Sequence, residues 1–127
     1  MSNNRLSNLT IVVVEDHDDT RRFLGNFLGR LGANVVLARN AVEGVEAVKT
    51  SRPNLVLCDI KMPGRDGFEV LSEIRAIGPA AGGSVPIIAV SALVTHASAR
   101  MLGFQACLAK PFTPHKLVKT ILTVLND

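Results

Sequence analysis

An apolar run that ends on a carboxylate and then meets a Pro-Gly turn constrains this chain more than any other stretch. The apolar residues 55–58 lead directly to Asp59, and Pro63-Gly64 soon ends the extended pattern. Apolar residues without alternation predict a strand covered on both faces, as in a parallel sheet. Ligands of open parallel sheets sit at the carboxyl ends of strands, so we expect Asp59 to be a nucleophile or a metal ligand. An Asp that only caps the next turn is the alternative.

A second apolar run, residues 9–14, ends on Glu15 and Asp16. If the two strands are parallel neighbours, these two carboxylates and that of Asp59 converge. Such a cluster repels itself and raises its own pKa values unless a cation neutralises it. Ligands that are all oxygen atoms favour a hard divalent ion such as Mg²⁺, which keeps several of its waters.

Two later strands add a hydroxyl and an ammonium group. Residues 86–90 are followed by Ser91, and residues 104–109 are followed by Lys110. A metal ion, a hydroxyl and an ammonium around one carboxylate form a site suited to a dianionic group.

Helical patterns separate these strands and complete an α/β alternation. We predict a first helix over about 18–31, a second after the cap Asn40, a third opened by Asp66-Gly67 and a last one after the cap and proline Thr113-Pro114. Right-handed crossovers then give a parallel sheet with helices on both faces. Residues 80–84 are predicted to be a flexible loop without an assigned function.

The ordered motifs resemble the receiver domain of two-component response regulators, the CheY-like superfamily. The acid pair follows the first strand, D-x-x-M-P-x-x-D-G the third, S-A the fourth and K-P-F the fifth, and the resemblance covers nearly all of the 127 residues. It implies a doubly wound, five-stranded parallel sheet of the flavodoxin-like type, with strand order 2-1-3-4-5 and helices on both faces. Residues 1–127 then form a single receiver domain, in which residues 1–8 are a polar N-terminal extension.

The resemblance also implies roles for single residues. Asp59 is the phosphoacceptor, which takes a phosphoryl group from a partner phosphohistidine, and Ser91 and Lys110 bind phosphoryl oxygens. Mg²⁺, or Mn²⁺ in its place, is held by the ligands Glu15, Asp16, Asp59 and the backbone carbonyl of Lys61. The chain promotes its own phosphorylation and dephosphorylation without being a classical enzyme.

Two features depart from the family pattern, and one follows it. Cys107 occupies the position where receivers usually carry Tyr or Phe, and the segment from Ser91 to Gly103 is roughly three residues short, which predicts a short or poorly formed fourth helix. The Lys110-Pro111 bond, as often in receivers, is expected to be cis.

The implied partners are a histidine kinase or a histidine phosphotransfer protein, and a downstream protein or linked kinase domains. The chain is then a free-standing regulator or the receiver of a hybrid histidine kinase. A degenerate receiver that acts as a phosphorylation-independent interaction module is the alternative. Two other functional classes fit less well, because Glu15-Asp16 would repel the phosphate of a flavodoxin-type cofactor, and Lys61 stands where a dehalogenase-type phosphatase has its second Asp.

Composition sets limits on other functions. The net charge of +3 is scattered and the chain has only five Phe and no Trp or Tyr, which argues against direct nucleic-acid binding. No apolar run is long enough for membrane insertion, and the two cysteines, Cys58 and Cys107, lie inside strand runs, so we expect a cytoplasmic protein. The three histidines share no ligand spacing and are interpreted as surface or capping residues.

Overall fold

The computed structural model describes residues 5–60, 66–92 and 96–126. Within these ranges, strands and helices alternate along the chain. The strands are β1 (Thr10–Val14), β2 (Asn34–Ala38), β3 (Leu55–Asp59), β4 (Ile87–Ser91) and β5 (Ala106–Ala109). The helices are α1 (Asp18–Arg30), α2 (Ala41–Ser51), α3 (Asp66–Ala76), α4 (His96–Leu102) and α5 (Pro114–Leu125), with a 3₁₀ turn at Pro79–Ala81.

The five strands form one parallel sheet in the order β2-β1-β3-β4-β5. This confirms the predicted flavodoxin-like topology. Val14 lies opposite Cys58 in the β1–β3 register, so the next residues, Glu15 and Asp59, lie side by side at the carboxyl edge of the sheet. The Glu15 N–H still donates to the Ala38 carbonyl at 2.9 Å, which holds this end of β1 in the sheet.

Both faces of the sheet are covered, which explains the unbroken apolar runs. Ile11 and Val13 pack into one core with side chains of α1 and α5. Val12 and Val14 point to the other face, where α2, α3 and α4 cover a second core. Each such Val, Leu or Ile contributes about 1.5–3 kcal/mol of burial free energy, and both cores hold the strand ends in a fixed register.

Side-chain caps fix where three helices begin. The His17 Nδ1 accepts from the Thr20 N–H at 3.3 Å, and the Asn40 side chain accepts from the Glu43 N–H at 2.9 Å. The Thr113 hydroxyl accepts from the Lys116 N–H at 3.1 Å, with Pro114 as the first helical residue. The predicted capping role of these side chains is confirmed, including that of a histidine.

Two segments differ from the sequence-based expectation. Leu6 is fully buried and its N–H donates to the Leu31 carbonyl at 2.9 Å, so the polar extension contributes a side chain to the core. The loop after α3 is anchored rather than loose, because Arg75 Nη1 donates to the carbonyls of Gly83 at 2.8 Å and Val85 at 2.6 Å. Burial lowers the pKa of Arg75, whose guanidinium lies under this loop.

The fourth helix, the Lys110-Pro111 bond and the length of the helices were also subjects of the sequence analysis. The fourth helix has seven residues, as the short segment predicted, and the Lys110-Pro111 bond is cis. Among the described residues, no helix has the length and apolar character needed to cross a membrane.

Candidate functional site

Three carboxylates meet at the carboxyl edge of the sheet. Glu15 and Asp16 follow β1, Asp59 ends β3, and one oxygen from each of the three side chains lies within 4.8 Å of the others. Glu15 is 3% exposed and the Asp59 side chain 5% exposed, whereas Asp16 faces solvent. The adjacency follows from the parallel register of β1 and β3, and the structure brings together the acids that the sequence placed at strand ends.

A cation from β5 faces this cluster. Lys110 Nζ lies 2.5 Å from Asp59 Oδ1, and its side chain is 34% exposed. The contact is an ion pair, and neither Asp59 oxygen accepts a hydrogen bond from a described residue. We therefore interpret Asp59 as a carboxylate that is paired with Lys110 and still has lone pairs for a further cation or hydrogen-bond donor.

Ser91, at the end of β4, is the other predicted phosphate-binding residue. Ser91 is fully buried at the end of β4, and its carbonyl accepts a hydrogen bond from the Lys110 N–H at 2.9 Å, which ties the ends of β4 and β5 together. Lys61 and its carbonyl lie outside the described residues. Cys107 is half-buried on β5, where burial raises the pKa of its thiol.

Sequence reasoning missed the contacts that hold the β1–α1 turn. The His17 N–H donates to Glu15 Oε2 at 3.0 Å, and Arg21 Nη1 donates to the Glu15 carbonyl at 3.0 Å. Arg21 Nη2 also donates to Asp18 Oδ1 at 2.6 Å, and this hydrogen bond lowers the pKa of Asp18. The i, i+3 spacing of Asp18 and Arg21 is a signal for the ion pair, but nothing in the sequence indicates the backbone contact.

A pocket of about 240 Å³ opens beside the acid cluster. Its lining includes the three acids and also Arg39 and Asn40, which precede α2. The Arg39 guanidinium is held by Glu43 at 2.9 Å, and this hydrogen bond lowers the pKa of Glu43. The pocket therefore leaves space for a small ligand next to the three carboxylates.

The donor set fits a hard divalent cation. All three side chains offer oxygen. Lys110 pairs with Asp59 Oδ1, whereas the buried Oδ2 has no hydrogen bond from the described residues and is costly to bury without a further cation or donor. Opposite ligands of an octahedral Mg²⁺ with bonds of about 2.1 Å are about 4 Å apart, so a spread of at most 4.8 Å requires only a small adjustment.

Comparisons of sequence agree with this geometry. The family model for the response regulator receiver domain matches residues 11–122. An uncharacterized 14.6 kDa protein of Leptolyngbya boryana is 34% identical over 119 residues, which cover 91% of this chain and 89% of that protein. Sensor histidine kinase RcsC of Escherichia coli strain K12 is 32% identical over 116 residues, which cover 89% of this chain but only 12% of the kinase. The chain thus corresponds to a small part of that relative.

Solved structures with the same fold include two above 25% identity. A putative response regulator from Chloroflexus aurantiacus superposes with a TM-score of 0.80 at 26% identity, over 94% of this chain and 98% of that one. The receiver domain of sensor histidine kinase PA1611 from Pseudomonas aeruginosa, solved with a magnesium ion coordinated in the active site cleft, gives a TM-score of 0.80 at 27% identity, over 95% and 100%. Fold, strand-end acids and family match agree, and the chain belongs to the response regulator receiver domain family of two-component signalling.

Proposed function

We propose that Asp59 accepts a phosphoryl group from a partner phosphohistidine in a Mg²⁺-dependent reaction, and that the phosphorylated chain acts by changing its protein contacts. One observation carries the proposal. The Asp59 carboxylate is 5% exposed, paired with Lys110, without a hydrogen bond from a described residue, and adjacent to two further carboxylates. A surface aspartate with a capping role would be solvated and would not be surrounded by like charges.

In the proposed reaction, an Asp59 oxygen attacks phosphorus in line. The new O–P bond forms as the P–N bond of the donor breaks, and the electron pair of that bond returns to the imidazole nitrogen. Lys110 neutralises one phosphoryl oxygen, and the Ser91 hydroxyl donates a hydrogen bond to another. Glu15, Asp16, Asp59 and the Lys61 carbonyl would hold Mg²⁺, which would supply further neutralisation of the phosphoryl charge. Hydrolysis of the acyl phosphate by water returns Asp59 to its carboxylate form.

The proposed partners are a histidine kinase or a histidine phosphotransfer protein, which supply the phosphohistidine, and a downstream protein or linked kinase domains. Two relatives support this assignment, since RcsC and PA1611 are described as sensor histidine kinases. We propose that the chain meets these partners in the cytoplasm.

Intact-mass spectrometry after incubation with acetyl phosphate and Mg²⁺ tests the proposal. We expect a labile phosphoryl adduct on the wild-type chain and none on Asp59→Asn. Asp19→Asn is the matched control, because Asp19 is an exposed aspartate of α1 that pairs with Arg22, and this variant should be labelled like the wild type. An adduct that survives Asp59→Asn would refute the assignment of the acceptor, and no adduct on the wild type would favour the phosphorylation-independent module.

A further inference from the structure

The guanidinium of Arg21 bridges two different parts of the β1–α1 turn. Nη1 donates to the Glu15 carbonyl at 3.0 Å and Nη2 to Asp18 Oδ1 at 2.6 Å. The Arg21 side chain is only 15% exposed, whereas that of Asp18 is 71% exposed. Because Asp18 is solvated, the ion pair with Asp18 alone contributes little to the fixed position of the Arg21 guanidinium. The contact with the backbone carbonyl distinguishes Arg21 from an ordinary surface arginine.

The carbonyl that Arg21 holds belongs to the peptide unit between Glu15 and Asp16. A planar peptide unit turns as one body, so fixing its carbonyl restricts the backbone dihedrals on both sides and thereby the direction of the Asp16 side chain. The rest of the turn is also tied, because the Glu15 N–H donates to Ala38 and its carboxylate accepts from the His17 N–H. Arg21 thus fixes the peptide unit that carries Asp16, the exposed acid of the cluster.

The next arginine along α1 provides a comparison within the same helix. Arg22 Nη1 lies 3.3 Å from Asp19 Oδ1 with the same i, i+3 spacing, but the two side chains are 68% and 83% exposed. Among the described residues, the Arg22 side chain bonds to Asp19 and makes no hydrogen bond with the β1–α1 turn. A role common to any arginine of this helix turn would apply to both residues, whereas a role in the acid cluster applies to Arg21 alone.

We infer that Arg21 is a positioning residue for the metal site: by holding the Glu15–Asp16 peptide unit, it presents Asp16 to the divalent cation. This inference rests on the proposed Mg²⁺ site. It gives Arg21 no contact with the metal or the phosphoryl group, and it predicts an effect on cation affinity rather than on the chemistry at saturating cation. Mutation of a group that orients a metal ligand without contacting the metal typically lowers metal affinity by about 10–100-fold.

The most informative substitution, Arg21→Lys, keeps the positive charge and removes the planar guanidinium with its two donor groups. Arg21→Lys retains one positive charge, but a single ammonium on a flexible stem cannot reproduce the planar bridge from the Glu15 carbonyl to Asp18. Arg21→Gln removes the charge as well, and that loss by itself would strengthen cation binding. Weaker binding in both variants therefore cannot be explained by charge.

Calorimetric titration of the metal-free chain with Mg²⁺ tests the inference. We expect Arg21→Lys to bind Mg²⁺ about tenfold more weakly than the wild type, Arg22→Lys to bind like the wild type, and Asp16→Ala to lose most of its binding. Amide NMR should show the Mg²⁺-induced shifts of Glu15 and Asp16 displaced to higher Mg²⁺ in Arg21→Lys. Phosphorylation by acetyl phosphate should then need more Mg²⁺ but reach the wild-type rate at saturation.

Each alternative outcome is distinguishable. Wild-type affinity in Arg21→Lys, or an equal loss in Arg22→Lys, would overturn the role of Arg21 and leave the proposed function intact. A wild-type chain that does not bind Mg²⁺, or that binds it equally well after Asp16→Ala, would overturn both. Thermal unfolding of the metal-free variants checks that the fold is retained, and if Arg21→Lys melts below the titration temperature, Arg21→Gln is titrated in its place with the same criterion.

Discussion

Replacing Gly44 with alanine should destabilise the protein, whereas the same replacement at Gly29 should stabilise it. Both residues lie inside helices, where alanine is favoured over glycine by about 0.5–1 kcal/mol. Their surroundings differ. A Cβ at Gly29 meets no atom within 4 Å, whereas a Cβ at Gly44 lies 2.9 Å from Val14 Cγ2. Gly25 is intermediate, because its Cβ would lie 3.2 Å from the Leu37 methyl groups.

The magnitudes follow from how far each neighbour can move. Leu37 is 44% exposed and its branched end can turn away, so Gly25→Ala should keep most of the propensity gain, about 0.5 kcal/mol. Val14 is buried and β-branched at the end of β1, so it yields only by straining the strand, which costs about 1–3 kcal/mol. The net expectation for Gly44→Ala is a loss of about 1 kcal/mol in the free energy of unfolding, against a gain of about 0.5–1 kcal/mol for Gly29→Ala.

Urea unfolding followed by far-ultraviolet circular dichroism measures these differences, since the chain has no Trp or Tyr for fluorescence. The expected order of unfolding midpoints is Gly29→Ala and Gly25→Ala above the wild type, and Gly44→Ala below it. If all three variants were stabilised, helix propensity alone would account for the result, and the close approach of α2 to β1 would contribute nothing to stability.

Two further predictions concern the pH dependence of thermal stability and dimerisation of the phosphorylated state. Arg39 holds the pKa of Glu43 below its usual 4.5, so the pair contributes stability above that pH and loses it as the pH falls through the lower folded-state pKa. The thermal midpoint of Glu43→Gln should therefore fall less steeply with acid than that of the wild type, and identical slopes would contradict this. A beryllofluoride adduct on Asp59 should not drive strong dimerisation through α4, β5 and α5, because Cys107 has too little bulk for an aromatic-type switch and α4 has seven residues. A tight beryllofluoride-dependent dimer in sedimentation, abolished by substitutions in residues 96–102, would refute this.

The arrangement of the acids was accessible from the sequence because it depends on strand ends alone. Unbroken apolar runs indicate parallel strands covered on both faces, and parallel strands bring their carboxyl ends to one edge. The adjacency of Glu15 and Asp59 then needs only the pairing of β1 with β3. Lys110 was accessible for the same reason, as the residue that follows β5.

Other features depend on contacts that leave no periodic pattern. Leu6 lies among polar residues, and its burial arises because the chain before β1 folds against Leu31. Arg75 anchors the loop after α3 through backbone carbonyls, which any sequence supplies. The loop composition suggested flexibility, but the guanidinium that restrains it comes from the preceding helix.

The Glu15–Asp16 turn is held in place from two sides, by α1 and by α2. Arg21 holds its carbonyl from α1, and Val14, the residue before Glu15, packs against Gly44 of α2 on the opposite side. A side chain at Gly44 that displaces Val14 must therefore shift the turn as well as the strand. Gly44→Ala should thus lose Mg²⁺ affinity in addition to stability, whereas Gly25→Ala and Gly29→Ala, which lie away from the turn, should keep it. Unchanged Mg²⁺ affinity in Gly44→Ala would show that Val14 can move without moving the acids that follow it.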